Sequence, residues 1–129
     1  MHTHLLDSNI LILALRGRSA ALDLLDQFRS RDEVSISVVS RTEVLAGMRP
    51  REERITTELL LALLSLPVTE AIADRAGRLI YSLARNGVQL SFPDALIAAT
   101  ALEHDLTLVT TNGRHFAVAG LKVQKFQHS

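Results

Sequence analysis

Four polar residues stand at the places where an α/β chain gathers chemistry: Asp7, Glu43, Asp94 and Asn112. Asp7 follows the apolar pair Leu5-Leu6. Glu43 comes shortly after the alternating run Val34-Ser-Ile-Ser-Val38. Asp94 opens a nearly all-apolar stretch from Ala95 to Leu102, and Asn112 follows Thr107-Leu-Val-Thr110. If a fold brings them to one edge, three carboxylates meet. Two unit charges about 5 Å apart at an effective dielectric of about 20 repel by roughly 3 kcal/mol. Such a cluster persists where something positive occupies it. A hard divalent ion is the natural occupant, because Mg²⁺ and Mn²⁺ prefer oxygen ligands.

Each acid also has an ordinary explanation. Ser40-Arg-Thr-Glu43 reads as a capping box, with Ser40 capping a helix and Glu43 reaching back to it. Ser91-Phe-Pro-Asp94 follows the same pattern, and acids in a first helical turn favour the macrodipole. Asp7-Ser-Asn9 is turn-and-cap chemistry. At this level metal ligation and capping both stand.

The elements that must position these residues are legible from periodicity. His4-Leu5-Leu6 predicts a strand. Ser8 or Asn9 caps a short helix over 10–15, closed by Arg16-Gly17. A helix is expected over 19–31 with Leu22, Leu25 and Phe28 near one face. Val34–Val38 predicts a strand, Ser40–Met48 a helix, and Pro50–Ser65 another. Pro67-Val68 is expected to lie in a short strand. Thr69 opens a long helix carrying Ile72, Ala76, Leu79, Ile80 and Leu83 on one stripe, stopped at Asn86-Gly87. A brief extended piece over 88–90 precedes a buried helix from Ser91 or Phe92 to His104. Strands are expected at Thr107–Thr110 and Leu121–Val123, with a helical stub after Asn112-Gly113. Strands alternating with helices imply right-handed crossovers, hence an α/β fold with a mostly parallel central sheet and helices on both faces. Ligands of such sheets bind beyond the carboxyl ends of the strands, where the four polar residues fall.

Four segments, in order, resemble the signature segments of PIN-domain ribonucleases: Leu5-Leu-Asp7-Ser-Asn9-Ile-Leu; Ser37-Val-Val-Ser-Arg-Thr-Glu43-Val-Leu-Ala-Gly47; Phe92-Pro-Asp94-Ala-Leu-Ile-Ala-Ala; and Leu108-Val-Thr110-Thr-Asn112-Gly-Arg-His-Phe116. Within that family the chain is most similar to VapC-type toxins of toxin–antitoxin pairs, over essentially its whole length, 1–129. The resemblance implies a metal-dependent RNA endonuclease using Mg²⁺ or Mn²⁺ and leaving 5′-phosphate ends. It implies Asp7, Glu43 and Asp94 as the metal ligands. Asn112 matches a fourth position that is often acidic in PIN domains, so the amide bears on whether a second ion is held. Asn9 and Thr110 match polar positions beside the acids. The implied partners are RNA, a small antitoxin and a second copy of the chain.

Arg41 and Arg114 are candidates for RNA phosphates, with Arg49, Arg51 and Arg54 behind them. Arg41 stands two residues from Glu43, while Glu52 and Glu53 dilute the positive field. His115 admits a general-base reading and an ordinary surface one. Phe92 and Phe116 read as packing residues. Leu59, Leu60, Leu61, Leu63 and Leu64 are too many leucines for one buried stripe. They read as deep burial or as a protein interface, and the resemblance favours the interface.

Composition sets the outer bounds. The chain has 129 residues, 47% of them hydrophobic and 22% charged, which suits one folded domain. Fourteen basic and fourteen acidic residues cancel, so any nucleic-acid contact needs a local patch. With no cysteine, disulfides, zinc–thiolate sites and cysteine nucleophiles are excluded. The amino terminus meets an acid at Asp7 and does not read as a secretory signal, and no apolar run is long enough to span a membrane. A cytoplasmic location is expected. Alternatives are a housekeeping PIN-domain RNA-processing nuclease, a receiver-like phospho-accepting module, or a plain interaction module.

Overall fold

The computed structural model describes residues 2–127. A five-stranded sheet lies at its centre, β1 (His4–Leu6), β2 (Val34–Ser37), β3 (Leu64–Leu66), β4 (Thr107–Thr110) and β5 (Val123–Lys125). The spatial order is β3-β2-β1-β4-β5, and every adjacent pair is parallel. Six α-helices connect and cover the strands: α1 (Ser8–Leu15), α2 (Ser19–Ser30), α3 (Val38–Gly47), α4 (Glu53–Leu61), α5 (Glu70–Arg85) and α6 (Phe92–Glu103). Short 3₁₀ turns at Pro50–Glu52 and Gly113–Phe116 complete the path.

The order reverses direction between β1 and β4, so the carboxyl ends of these two neighbours form the crevice where open α/β sheets bind ligands. Receiver modules use the order 2-1-3-4-5, so the strand order removes the receiver-like alternative.

Alternation along the strands divides the core. Leu6 and Val109 pack on one face with Ile10 and Leu11 of α1, Leu25 and Phe28 of α2, Val44 and Leu60. Leu5 and Leu108 pack on the other face with Ile97, Ala98 and Ala101 of α6. Helix α5 lies outside α6, inserting Ile72 and Ala76 against Ala95 and Ala99. The small alanines of α6 let both neighbours approach, which explains a helix apolar nearly all round. Gly87 ends α5 at φ +76°, a conformation that costs a side-chain residue strain.

Several expected boundaries move. Asp7, not Ser8 or Asn9, caps α1. Helix α3 starts two residues earlier than expected, capped by Ser37 through the Val39 N–H at 3.0 Å. Ser40 therefore lies inside the helix, fully buried, and the Ser40–Glu43 capping box does not form. In α2 the buried stripe is Ala21, Leu25 and Phe28, leaving Leu22 40% exposed. The leucine-rich helix stops at Leu61, and β3 occupies Leu64–Leu66 rather than Pro67-Val68. Proline offers no N–H to a ladder, whereas Leu64–Leu66 can pair with β2. The last strand lies two residues beyond the expected Leu121–Val123, and residues 88–90 join no strand.

Candidate active site

Asp7 leaves the end of β1 in an extended conformation and turns the chain into α1. Its Oδ1 accepts from the Ser8 N–H at 2.8 Å, and its Oδ2 accepts from the Thr110 hydroxyl at 2.7 Å. The carboxylate is thus clamped between the first turn of α1 and the end of β4, with only 4% of the residue exposed. Thr110 in turn accepts from the Asn112 N–H at 3.0 Å, which fixes the loop after β4.

Glu43 sits in the second turn of α3. Its Oε1 accepts from the Ser8 hydroxyl at 3.1 Å. Ser8 therefore joins the two acids, giving its N–H to one and its O–H to the other. From the sequence alone Ser8 reads only as a cap. The available signal was a small hydroxyl residue directly after a strand-terminal acid, at the first helical position, where its backbone N–H is free. Asp94 lies in the first turn of α6, where its N–H donates to the Ser91 hydroxyl at 3.3 Å. Its carboxylate stands 3.9 Å from Nδ1 of His115. His115 thus flanks the site rather than standing apart from it.

The electrostatics register the gathering. Burial is the largest influence on Asp7 and pushes its carboxyl above the ordinary range, against hydrogen bonds from Thr110 and Ser8; the charge of Asp94 adds to the rise. Burial also raises Glu43, and the charges of Asp7 and Asp94 add to it, while the Ser8 hydroxyl pulls the other way. Three carboxylates from three separate elements therefore feel one another at the β1/β4 crevice.

Their oxygen donor set suits a hard divalent cation and does not suit a thiophilic one. Asp7 and Glu43 share Ser8 while Asp94 stands beside His115, and among the described residues no three carboxylate or imidazole groups form a ready-made metal cage.

The remaining expected residues fall in different places. Thr110 stands directly on Asp7. Asn9 lies in the same first turn, but its amide donates to the Thr111 hydroxyl at 3.3 Å instead of to an acid. Asn112 is exposed, and its side chain does not cap the 3₁₀ turn that follows. Arg114 reaches the site: with Asp94, His115, Ser91 and Gln89 it lines an open cleft of about 590 Å³ floored by Ile80 and Leu90. Arg41 does not. Residues two apart on a helix point to nearly opposite sides, so nearness to Glu43 in sequence is no nearness in space. The Arg41 guanidinium instead donates to the Leu60 carbonyl at 3.3 Å and the Ser65 hydroxyl at 3.2 Å, tying α3 to α4 and β3.

Comparison with known proteins adds independent findings. The family model described as PIN domain matches residues 4–121. Ribonuclease VapC10 of Mycobacterium tuberculosis is 44% identical over 112 residues, covering 87% of this chain and 84% of that protein. A toxin-antitoxin complex from Klebsiella pneumoniae contains a chain 30% identical, with a TM-score of 0.75, covering 95% of this chain and 96% of that one. A DNA-bound VapBC from Salmonella typhimurium superposes with a TM-score of 0.86 over 97% of this chain and 98% of that one, at 23% identity.

Proposed function

The chain belongs to the PIN domain family, and from that premise we propose that it is an endoribonuclease, the toxin of a toxin–antitoxin pair, working with Mg²⁺ or Mn²⁺. The observation that carries the chemistry is the convergence of Asp7, Glu43 and Asp94 on the β1/β4 crevice, with Asp7 and Glu43 raised by burial and by their neighbours' charges. A relative at 44% identity named a ribonuclease supports the activity, and a 30% identical chain in a toxin-antitoxin complex supports the biological role.

In this reading Asp7, Glu43 and Asp94 hold the ion. When bound, a divalent ion there neutralises charge on the phosphodiester and eases ionisation of the attacking water. Ser8 and Thr110 orient the carboxylate of Asp7, and Ser8 aims Glu43 at the same space. Arg114, in the cleft beside Asp94, meets the negative backbone. Water adds to phosphorus, the bond to the 3′ oxygen breaks, and the products carry a 5′-phosphate and a 3′-hydroxyl. Asn112 contributes an amide and no charge, so one weakly held ion is expected before RNA arrives and a second enters mainly with the RNA.

Partners are read from the surface. Ile55, Leu61 and Leu64 on α4 and β3 are exposed, Leu61 by 75%. Leu61 and Leu64 also line one groove, and such exposed apolar side chains suit a second copy or an antitoxin helix. No helix of the described residues is long and apolar enough to cross a membrane, and we place the protein in the cytoplasm with its RNA.

The deciding experiment incubates purified protein with total RNA, with and without Mg²⁺ or Mn²⁺, and maps the cut ends. Metal-dependent cuts with 5′-phosphates are expected. Intact RNA with both ions would overturn the enzyme reading. Expression alone should arrest growth and the adjacent small gene should restore it; harmless soluble expression in the native host would overturn the toxin reading.

A further inference from the structure

Beyond the acids, on the β5 side of the 3₁₀ turn Gly113–Phe116, lies a second groove of about 260 Å³. It is lined by Thr111, Asn112, Gly113, Arg114, His115 and Lys125, among others. Lys125 closes β5, in register with Thr110, the residue that holds Asp7. Its ladder position thus puts it at the carboxyl edge, one strand away from the site.

The lysine's direction is unusual for its place. An edge-strand lysine ordinarily leans off the sheet into water, where it discourages pairing with another strand. Here the aliphatic stem lies across Gly113. A Cβ added at Gly113 would stand 2.6 Å from Cε, 2.9 Å from Cγ and 3.2 Å from Cδ of Lys125. Gly113 has an ordinary φ, so its missing side chain makes room for the stem and meets no backbone demand. Lys122, three residues earlier, pairs with Asp105 at 3.0 Å. Among the described residues Lys125 and Arg114 enter no ion pair, so both charges are free for an outside anion.

We infer that Lys125, seated over Gly113, and Arg114 form a subsite for an RNA backbone phosphate adjacent to the one being cut. The inference rests on the nuclease reading and adds a substrate contact to it. The 3₁₀ turn stands between the cleft lined by Asp94 and this groove, and Arg114 and His115 line both. A strand whose scissile phosphate meets the carboxylates therefore crosses the turn with its next phosphate over Gly113. Lys125 is a binding residue, and Gly113 is the positioning residue that keeps its stem down.

The test measures binding of a short single-stranded RNA in EDTA at several salt concentrations, with metal-dependent cleavage and Mn²⁺ calorimetry in parallel. Lys125→Met should weaken RNA binding about fivefold and lower the salt slope by roughly 0.7, the loss of one single-strand phosphate contact. Gly113→Ala should weaken binding similarly although it keeps the charge, because the methyl displaces the stem. Lys125→Arg should retain most of the affinity. All three should fold normally and bind Mn²⁺ like the parent. A parent that cuts RNA, beside a Lys125→Met protein with unchanged affinity and slope, would overturn the subsite alone. A weakened Lys125→Met with an unaffected Gly113→Ala would overturn the seating by Gly113. A parent that neither binds nor cuts RNA would overturn the nuclease reading and the subsite with it.

Discussion

Helix α1 carries an acidic residue against each of its ends, and the two are treated in opposite ways. At its start Asp7 is 4% exposed, accepts from the Ser8 N–H and the Thr110 hydroxyl, and among the described residues enters no ion pair. At its end Arg16 donates from one nitrogen to both oxygens of Glu52, at 2.9 and 2.8 Å, and Glu52 also accepts from the Arg49 N–H at 2.7 Å. The second end is a finished piece of structure, with its charge answered by a guanidinium. The first has hydrogen bonds for orientation but no cation, and two further carboxylates nearby. An acid answered within the chain stabilises the fold. An acid oriented but unanswered is, in the proposed reading, where the divalent ion would bind.

The largest test of that contrast is Asp7→Asn. The amide keeps an oxygen for the Ser8 N–H and a nitrogen for Thr110, so the local geometry survives. Cleavage should fall by about a thousandfold, because the charge that holds the ion is gone. The metal-free variant should melt no lower than the parent, since a buried uncompensated charge has been removed. A variant that cuts RNA at the parental rate would place Asp7 with Glu52 as structure.

Next in size is the effect of the ion on stability. Mn²⁺ at about a hundredfold excess over its Kd should stabilise the parent by about 2.7 kcal/mol in a thermal or denaturant melt. Asp7→Asn should lose that gain and Arg16→Ala should keep it. Equal stabilisation of both variants would locate the ion elsewhere.

Arg16→Ala breaks the finished end instead. It leaves Glu52 half-buried without its cation and should cost about 1–2 kcal/mol, less than a deeply buried pair because water reaches both partners. Cleavage per folded molecule should be unchanged. A large loss of activity with normal stability would erase the distinction between the two ends.

How much of this was legible without coordinates differs by residue. The alternating and apolar runs announced β1, β2, β4, α5 and α6, and the strand-end rule pointed to Asp7, Glu43 and Asp94. The caps were harder. Ser37 and Ser40 are equally good capping residues, and the choice between them depends on where β2 stops, which Ile36 and Ser37 settle by pairing with β3. That choice moved Glu43 out of a capping box and into the site. Arg41 misled because sequence distance is not helical direction. Lys125 lay hidden because its role depends on Gly113, twelve residues away in the chain and adjacent only through the β4–β5 ladder. Ser8 reads locally as a cap because one of its two bonds goes to α3, a contact no local pattern encodes.

The smallest expected effect, and the most discriminating, is the pH dependence of metal-free stability. A carboxyl whose value in the folded protein lies above its unfolded value binds a proton more tightly when folded. Between the two values the folded state carries more proton than the unfolded state, so stability falls as pH rises. For Asp7 the decline begins just above the ordinary value of 3.8, and for Glu43 just above 4.5. Each decline is complete once pH passes that group's raised value, and above it the folded protein bears the whole cost of that charge. The stability difference between Asp7→Asn and the parent should therefore grow as pH rises through that window and shrink as pH is lowered through it. Arg16→Ala should show no such trend relative to the parent from the Asp7 end, because Asp7 and Glu43 are intact in both. Denaturant melts of the three proteins in EDTA, at half-unit steps from pH 4 to 7.5, measure the differences directly. Repeating them with saturating Mn²⁺ should reverse the sign for the parent, since an ion on the carboxylates favours their ionised form and is lost as they take up protons. A parent and an Asp7→Asn variant whose stabilities run parallel throughout would mean that Asp7 carries no charge penalty, and the two ends of α1 would then be alike.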